Sequence, residues 1–350
     1  MALAVVFGTW GTASADVGTD DPDPQEISER AEPATVQVIT TAGGDEPETI
    51  SQSGGTGIVY DADEGLIVTN AHVVQGAATV KVLIEGRAVP VRVLGMDPCE
   101  DVAVVQLNAQ QDDLEELKFA DSAEVERGDT VTALGYPASA AAPGSEEVSF
   151  TSGVVQDPDV TATPGSSLPN LISTIQHSAT VNPGNSGGPL LNGKAEVVGI
   201  NTLASNPSSG VQGQFYAISS NHAKPMLKGL AAGENKNNIG WDLLPLPELK
   251  QHYEGTDVGA KLDQVKSDGL YVLSTAPNTP ASEAKLTGGD LITRIKGKPV
   301  STMSDVCDIL QSAAPGEKLF VEGLYITSMG PNNTFNEAWE TNLVIPGRSR

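Results

Sequence analysis

From Ala34 onward the chain is written as short apolar runs: TVQVIT, TGIVY, GLIVTNAHVV, ATVKVLI, AVPVRVLGM, DVAVVQL, DTVTALGY, SFTSGVV, AEVVGINT and FYAIS. Some alternate apolar and polar positions, as a half-buried strand does; others are continuous, as a strand buried on both faces does. Gly, Pro, Asp or Asn separates most of them. That spacing predicts an all-β barrel or sandwich. The texture changes at HAKPMLKGL, His222 to Leu230, which reads as a short closing helix, and then at AAGENKNN, Ala231 to Asn238, a polar linker. A second unit, 239–347, mixes the strands GLYVLS, LITRI, LFVEGLYI and WETNLVI with two helices. PASEAK opens on Pro280, which suits a first helical turn. SDVCDILQ puts Val306, Ile309 and Leu310 on one face, with Ser304 as its expected cap. The chain is therefore expected to be mainly β over 34–230 and α+β over 239–347.

Composition sharpens this picture. The 37 Gly and 23 Pro call for frequent turns, and 39% hydrophobic with only 4% aromatic residues means a core of Val, Ile, Leu and Ala. A net charge of -25 repels phosphate backbones, so no nucleic-acid partner is expected. Cys99 and Cys307 fall in different predicted units and are expected to be unpaired thiols. At the N-terminus, Ala2 to Trp10 is a short apolar run followed by the small-residue triplet Ala13-Ser14-Ala15. Residues 1–15 thus read as a secretory signal, which implies an exported protein. Residues 16–33, rich in Asp, Glu and Pro, read as a solvated linker. No other segment approaches the roughly 18 apolar residues of a membrane span. With no metal-ligand cluster and no Gly-rich phosphate loop, no metal and no cofactor are expected.

The candidate chemistry lies in VNPGNSGGPLLNG, Val181 to Gly193. A serine hydroxyl is a weak nucleophile unless a base, usually histidine, removes its proton and an acid orients that histidine. The chain has four histidines, His72, His177, His222 and His252. His72 stands at the end of the apolar strand LIVTN, a rigid mount for a base. His177, on the strand entering the serine loop, is expected to be exposed. For the acid, Asp101 immediately precedes the buried run VAVV, where it can face a histidine or simply cap the strand; Asp97 and Glu100 read as turn and solvent residues. The order His72, Asp101, Ser186 is that of the chymotrypsin-like barrels and not of subtilisins or α/β-hydrolases.

Three segments, TNAHVV (Thr69 to Val74), DVAVV (Asp101 to Val105) and NPGNSGGPL (Asn182 to Leu190), together resemble the HtrA (Deg) family. These are trypsin-fold serine proteases with C-terminal PDZ domains. GGDLITRIKGKPV, Gly288 to Val300, resembles the core of such a PDZ domain. The resemblance implies a chymotrypsin/trypsin-like double β-barrel followed by an α+β PDZ-like domain. It implies Ser186 as nucleophile, His72 as general base and Asp101 as its orienting acid. The backbone N–H groups of Gly184 and Ser186 would form the oxyanion hole, with Asn185 shaping the loop between them. Thr180 would stand at the base of the S1 pocket. Having no carboxylate, it implies small or medium aliphatic P1 residues. GINTL, with Gly199, Ile200, Asn201 and Thr202, and QFYA, with Phe215 and Tyr216, resemble the strands that wall this pocket.

In PDZ modules a peptide C-terminus binds an apolar-Gly-apolar loop and pairs as a strand beside a helix. Ile239, Gly240 and Trp241 fit the loop; Val306 and Leu310 fit the helix face. Trp241 is bulky for that place, and a core tryptophan is the alternative reading. The family's trimers use aromatic residues near the start of the protease domain. Asp16 to Thr35 has none, which leaves a homotrimer open. The expected function is an endopeptidase acting on unfolded or damaged polypeptides, with peptide C-termini captured by the PDZ-like unit. The alternatives are a chaperone-like peptide binder with an idle protease domain, and a small-ester hydrolase.

Overall fold

The computed structural model describes residues 23–42, 52–84, 86–109, 111, 114–137, 148–204, 213–326 and 335–346. The signal reading of residues 1–15 falls outside them. Six strands form a first closed barrel: β1 (Thr35–Ala42), β2 (Gln52–Asp61), β3 (Leu66–Thr69), β4 (Ala77–Ile84), β5 (Arg87–Asp97) and β6 (Val102–Leu107). A second closed barrel follows: β7 (Thr130–Gly135), β8 (Ser149–Ala162), β9 (Leu171–His177), β10 (Pro189–Leu191), β11 (Val197–Ala204) and β12 (Phe215–Ser219). The continuous runs are the strands buried on both faces: LIVT of β3 is buried throughout, and Val102 to Val105 of β6 are fully enclosed. Residue for residue, such aliphatic burial contributes about 1.5–3 kcal/mol.

The first helix, α1 (Pro24–Ala31), lies in the stretch expected to be a solvated linker. Asp23 caps it by accepting from the Gln25 N–H at 3.0 Å, and Pro24 supplies the first turn. Ile27 and Ala31 are buried in the barrel core. An acidic composition is compatible with a helix when one face carries an Ile and an Ala four residues apart. The closing helix forms as α3 (Ser220–Ala231), preceded by the one-turn α2 (Ala71–Val74).

The C-terminal unit is a sheet in the order β13 (Trp241–Pro245), β14 (Leu270–Thr275), β15 (Asp290–Ile295), β17 (Lys318–Tyr325), β18 (Ala338–Val344), with β16 (Lys298–Pro299) paired to β15. Its described residues form four helices where two were expected: α4 (Leu246–His252), α5 (Asp257–Leu262), α6 (Pro280–Glu283) and α7 (Met303–Gln311). The two unforeseen ones are short and bury little beyond Leu246, Leu249 and Leu262, too few positions to show a period. The cap of α7 is Thr302, not Ser304. Thr302 Oγ1 accepts from the Asp305 N–H at 3.1 Å, while the Asp305 carboxylate takes the Thr302 N–H.

Three further expectations are overturned. Cys99 and Cys307 are joined in a disulfide with Cα atoms 5.5 Å apart, across 208 residues of sequence. Membership of different units separates residues along the chain, not in space, and the turn between β5 and β6 reaches α7. Closing so long a loop is worth up to about 5 kcal/mol through the unfolded chain. Asp97 is buried, 3% exposed, and not a solvent residue; burial pushes its carboxyl up to about 6, against a hydrogen bond from Asn237. His177 is fully enclosed, with no well-aligned hydrogen-bond partner at either ring nitrogen. It lies on β9 between β8 and β12, facing the Phe215 ring at 6.2 Å.

Burial pulls the His177 imidazole down to about 4, from an unfolded value of 6.5. Between those values the unfolded chain binds the proton and the folded chain does not, so folding loses stability as pH falls through that window, by about 3 kcal/mol in all. His177→Met removes the proton site and keeps the volume. The expected outcome in denaturant titrations is that wild type loses stability relative to His177→Met between pH 7 and pH 4.5.

Candidate active site

Strand pairing brings the candidate residues together. β3 runs antiparallel to β6 with Thr69 opposite Ala103, so the residues just after β3 and just before β6 meet at one end of the first barrel. His72, on α2, follows β3; Asp101 precedes β6. The second barrel delivers the serine: β10 pairs with β11, Pro189 opposite Ile200, so the loop entering β10 lies against the strand that carries Thr202.

Asp101 is 1% exposed and has φ 54°, a left-handed conformation uncommon outside glycine. Its Oδ1 accepts from the His72 backbone N–H at 3.0 Å and lies 2.9 Å from His72 Nδ1. Its Oδ2 lies 3.0 Å from the same Nδ1 and accepts from Thr202 Oγ1 at 2.8 Å. Asn70 Nδ2 donates to the Asp101 carbonyl at 2.9 Å. These contacts fix the imidazole with Nδ1 protonated and Nε2 free to accept. Burial lowers the pKa of His72, but the adjacent Asp101 charge and hydrogen bond outweigh it, so His72 stands above the ordinary 6.5. The ring keeps 28% of its side-chain surface open to solvent, which limits the lowering.

The Ser186 loop is held by its backbone. The Thr56 N–H donates to the Ser186 carbonyl at 2.8 Å, and Thr56 Oγ1 donates to the Gly184 carbonyl at 2.8 Å. Thr56 Oγ1 also accepts from the Tyr136 N–H at 2.9 Å, and its carbonyl accepts from Thr69 Oγ1 at 2.7 Å. Gly184 has φ 99° and Gly187 φ 86°; a Cβ at 187 would run into the Thr56 carbonyl and the Thr69 hydroxyl. Asn185 is 2% exposed and closes the turn through its N–H to the Asn182 carbonyl at 3.0 Å. The Ser186 hydroxyl itself donates to the Thr202 carbonyl at 2.7 Å. Its proton is thus directed at Thr202 and not at His72.

The remaining expected residues divide. Thr202, expected to wall the S1 pocket, instead bridges Asp101 and Ser186. Asn201, also expected there, is fully buried and supports the loop, its Nδ2 donating to the Pro189 carbonyl at 2.8 Å. Ile200 is buried in the core, and Gly199 pairs with Leu190. Phe215 and Tyr216 are half-buried on β12, next to β11. Thr180 is exposed on the loop after β9, so the described residues do not gather it into an enclosed pocket. In the C-terminal unit, Ile239, Trp241, Val306 and Leu310 share one buried cluster, and Gly240 has φ 82°. Thr56 and Asn70 escaped the sequence reading. A threonine inside the Gly-rich SGGTG and an asparagine before AHVV carry no periodic signal.

Comparison with known proteins agrees with this architecture. The family of trypsin-like peptidase domains matches residues 55–200, and the PDZ domain family matches residues 271–322. The chain is 34% identical over 283 residues to the Do-like serine protease HtrA of Bacillus subtilis, covering 78% of this chain and 61% of that one. It is 34% identical to the periplasmic serine endoprotease DegP of Escherichia coli, covering 76% of this chain and 53% of that protein. With the HhoA serine protease of Synechocystis it shares 30% identity, covering 88% of this chain and 74% of HhoA. The chain thus spans about three-fifths of the Bacillus relative's length. A solved HtrA-type protease, AlgW with a tripeptide, superposes with a TM-score of 0.52 at 24% identity over 94% of this chain and 98% of that one. The serine endoprotease from Yersinia pestis superposes at 0.51 with 22% identity, covering 93% and 98%.

Thr56 touches no reacting atom but sets the carbonyls that flank the loop's donors. Thr56→Val is expected to slow the labelling of Ser186 by a fluorophosphonate about 10- to 100-fold, while Thr56→Ser, which keeps the hydroxyl, restores most of the rate. Equal slowing in both variants, tracking lost thermal stability, would instead mean that Thr56 serves only packing.

Proposed function

Because the chain belongs to the HtrA family of serine proteases, we propose that it is a serine endopeptidase cleaving unfolded or damaged polypeptides, exported from the cytoplasm, with a C-terminal unit that takes peptide C-termini. The observation that carries this reading is the bridge formed by Thr202, whose hydroxyl donates to Asp101 and whose carbonyl receives the Ser186 hydroxyl, so that acid and nucleophile share one partner. Export is supported by the periplasmic DegP relative. Peptide capture is supported by the PDZ match and by the peptide-bound state of the AlgW structures.

In this mechanism Ser186 rotates from the Thr202 carbonyl toward His72 Nε2, which takes its proton as Oγ bonds to the scissile carbonyl carbon. Asp101 holds Nδ1 and balances the imidazolium. The carbonyl oxygen becomes an oxyanion received by the N–H groups of Gly184 and Ser186, a contribution of about 10²–10³ in rate per donor. His72 then protonates the leaving amine. Water repeats the sequence on the acyl-enzyme and frees Ser186. Hydroxyl rotation about one bond costs little, so the resting contact with Thr202 delays the reaction without forbidding it.

Incubation with unfolded casein and a fluorophosphonate tests the reading. Wild type is expected to cleave and to be labelled, and Ser186→Ala to do neither. Absence of both in wild type across temperatures and added C-terminal peptides would overturn it. The labelling rate is expected to rise with pH through an inflection above 6.5, since only neutral His72 accepts the proton. In Asp101→Asn the charge is gone and burial remains, so the His72 ring is expected to titrate below 6.5 when followed by NMR.

A further inference from the structure

The surface that sequence reasoning assigned to a peptide C-terminus is not open. Cys99, from the β5–β6 turn of the first barrel, is buried in the same cluster as Ile239, Trp241, Leu243, Val306 and Leu310, the expected loop, strand and helix face of the peptide groove. The disulfide then ties Cys99 to Cys307 on α7. Around this plug hydrogen bonds tie the second unit and the linker before it to the barrels. Asn237 Nδ2 donates to Asp97 Oδ1 at 3.0 Å, and Gln311 Nε2 donates to Glu100 Oε1 at 3.2 Å. Gln75 Nε2 donates to the Trp241 carbonyl on β13 at 2.8 Å. At the start of α7, the Met303 N–H donates to the Ser166 carbonyl at 2.9 Å and the Asn170 N–H to Ser304 Oγ at 3.0 Å.

β13 is an end strand of its sheet, and such a strand accepts a peptide by backbone pairing. Here Gln75 occupies its first carbonyl, and residues 97–101 fill the space beside α7. The same five residues end in Asp101, so the groove's occupant is also the mount of the catalytic acid. Beside it lies a cavity of about 70 Å³, lined in part by His72, Pro98, Asp101, Asp242, Leu243 and Met303.

We propose that the peptide groove of the C-terminal unit is held by the chain's own catalytic-acid loop, residues 97–101, and that a dithiol reductant, by opening Cys99–Cys307, exchanges this internal occupant for a peptide C-terminus. It rests on the reading of the C-terminal unit as a peptide binder. The chemistry is thiol–disulfide exchange: a thiolate of the dithiol attacks one cysteine sulfur and expels the other as thiolate, and the second thiol of the reductant displaces the mixed disulfide. Two electrons and two protons pass to the protein, leaving two thiols and a cyclic disulfide on the reductant. Both cysteines are almost fully buried, at 2% and 4% exposed, so exchange proceeds through partial separation of the units and is slow. While the bond is closed, the internal segment cannot diffuse away, and an external peptide competes against a partner that is always present.

The test compares the oxidised chain, the chain treated with dithiothreitol, and Cys307→Ala. Fluorescence anisotropy follows a pool of random decapeptides ending in a free valine carboxylate, with the same pool amidated as control. Hydrogen exchange follows residues 97–101, 241–245 and 303–311. The expected result is no binding to the oxidised chain, and binding of the free-acid pool at least about tenfold tighter than of the amidated pool to the reduced chain and to Cys307→Ala. Exchange in the three segments should accelerate on reduction in wild type and be insensitive to the reductant in Cys307→Ala. Cys99→Ala, which breaks the bond from the other side, should behave as Cys307→Ala does. Peptide binding to the oxidised chain equal to that of the reduced chain, or unchanged exchange in all three segments, would overturn the proposal. Accelerated exchange without peptide binding in any form would leave the release intact but sink the reading of the groove as a carboxylate site.

Discussion

The buried carboxylate of Asp101 is the constraint around which the rest is arranged. A carboxylate removed from water must be compensated by donors. Here the compensation comes from His72, through its backbone N–H and Nδ1, and from Thr202 Oγ1. The donors come from two distant places in the chain, so satisfying one group aligns α2, the start of β6 and β11. The left-handed φ of Asp101 is held in place by the same contacts and by Asn70 on its carbonyl. A residue in that conformation persists only where its surroundings over-determine it.

The candidate nucleophile is organised by different means. The Ser186 loop depends on backbone groups: two carbonyls held by Thr56, one N–H from Asn185 returning to Asn182, and two glycines with positive φ. Side-chain chemistry is thus concentrated on the acid and base, and backbone geometry on the serine. Thr202 is the seam between the two constructions. Its hydroxyl belongs to the first and its carbonyl to the second, so a movement of β11 alters both at once.

This division explains what could be read from the sequence. The barrels were legible because burial writes itself as apolar runs, and β3 and β6 are buried on both faces. The three candidate residues were legible as a set because His72, Asp101 and Ser186 each sit beside such a run, in an order tied to one fold. Thr56 and Asn70 act through single hydrogen bonds, which leave no period. His177 misled because an imidazole fully enclosed between strands runs against the ordinary expectation for histidine. The helix over Pro24–Ala31 was masked by acidic neighbours that remain on its exposed face. The disulfide was invisible for a topological reason: 208 residues separate the cysteines, and only the packing of one unit on the other brings them within bonding distance.

That packing gives residues 97–101 two allegiances. Asp97 is bonded to Asn237 of the linker, Cys99 is anchored in the C-terminal unit, Glu100 is shared between Gln311 and His222, and Asp101 belongs to the barrel. His222 lies on α3, which packs on β5 and β6, so the turn is gripped from both sides. Between Cys99 and Asp101 there is a single residue, Glu100. A displacement of α7 would reach the Asp101 backbone over one residue, at a position held in the left-handed conformation. The surface beside α7 and the carboxylate that holds His72 Nδ1 thus share one five-residue turn, residues 97–101.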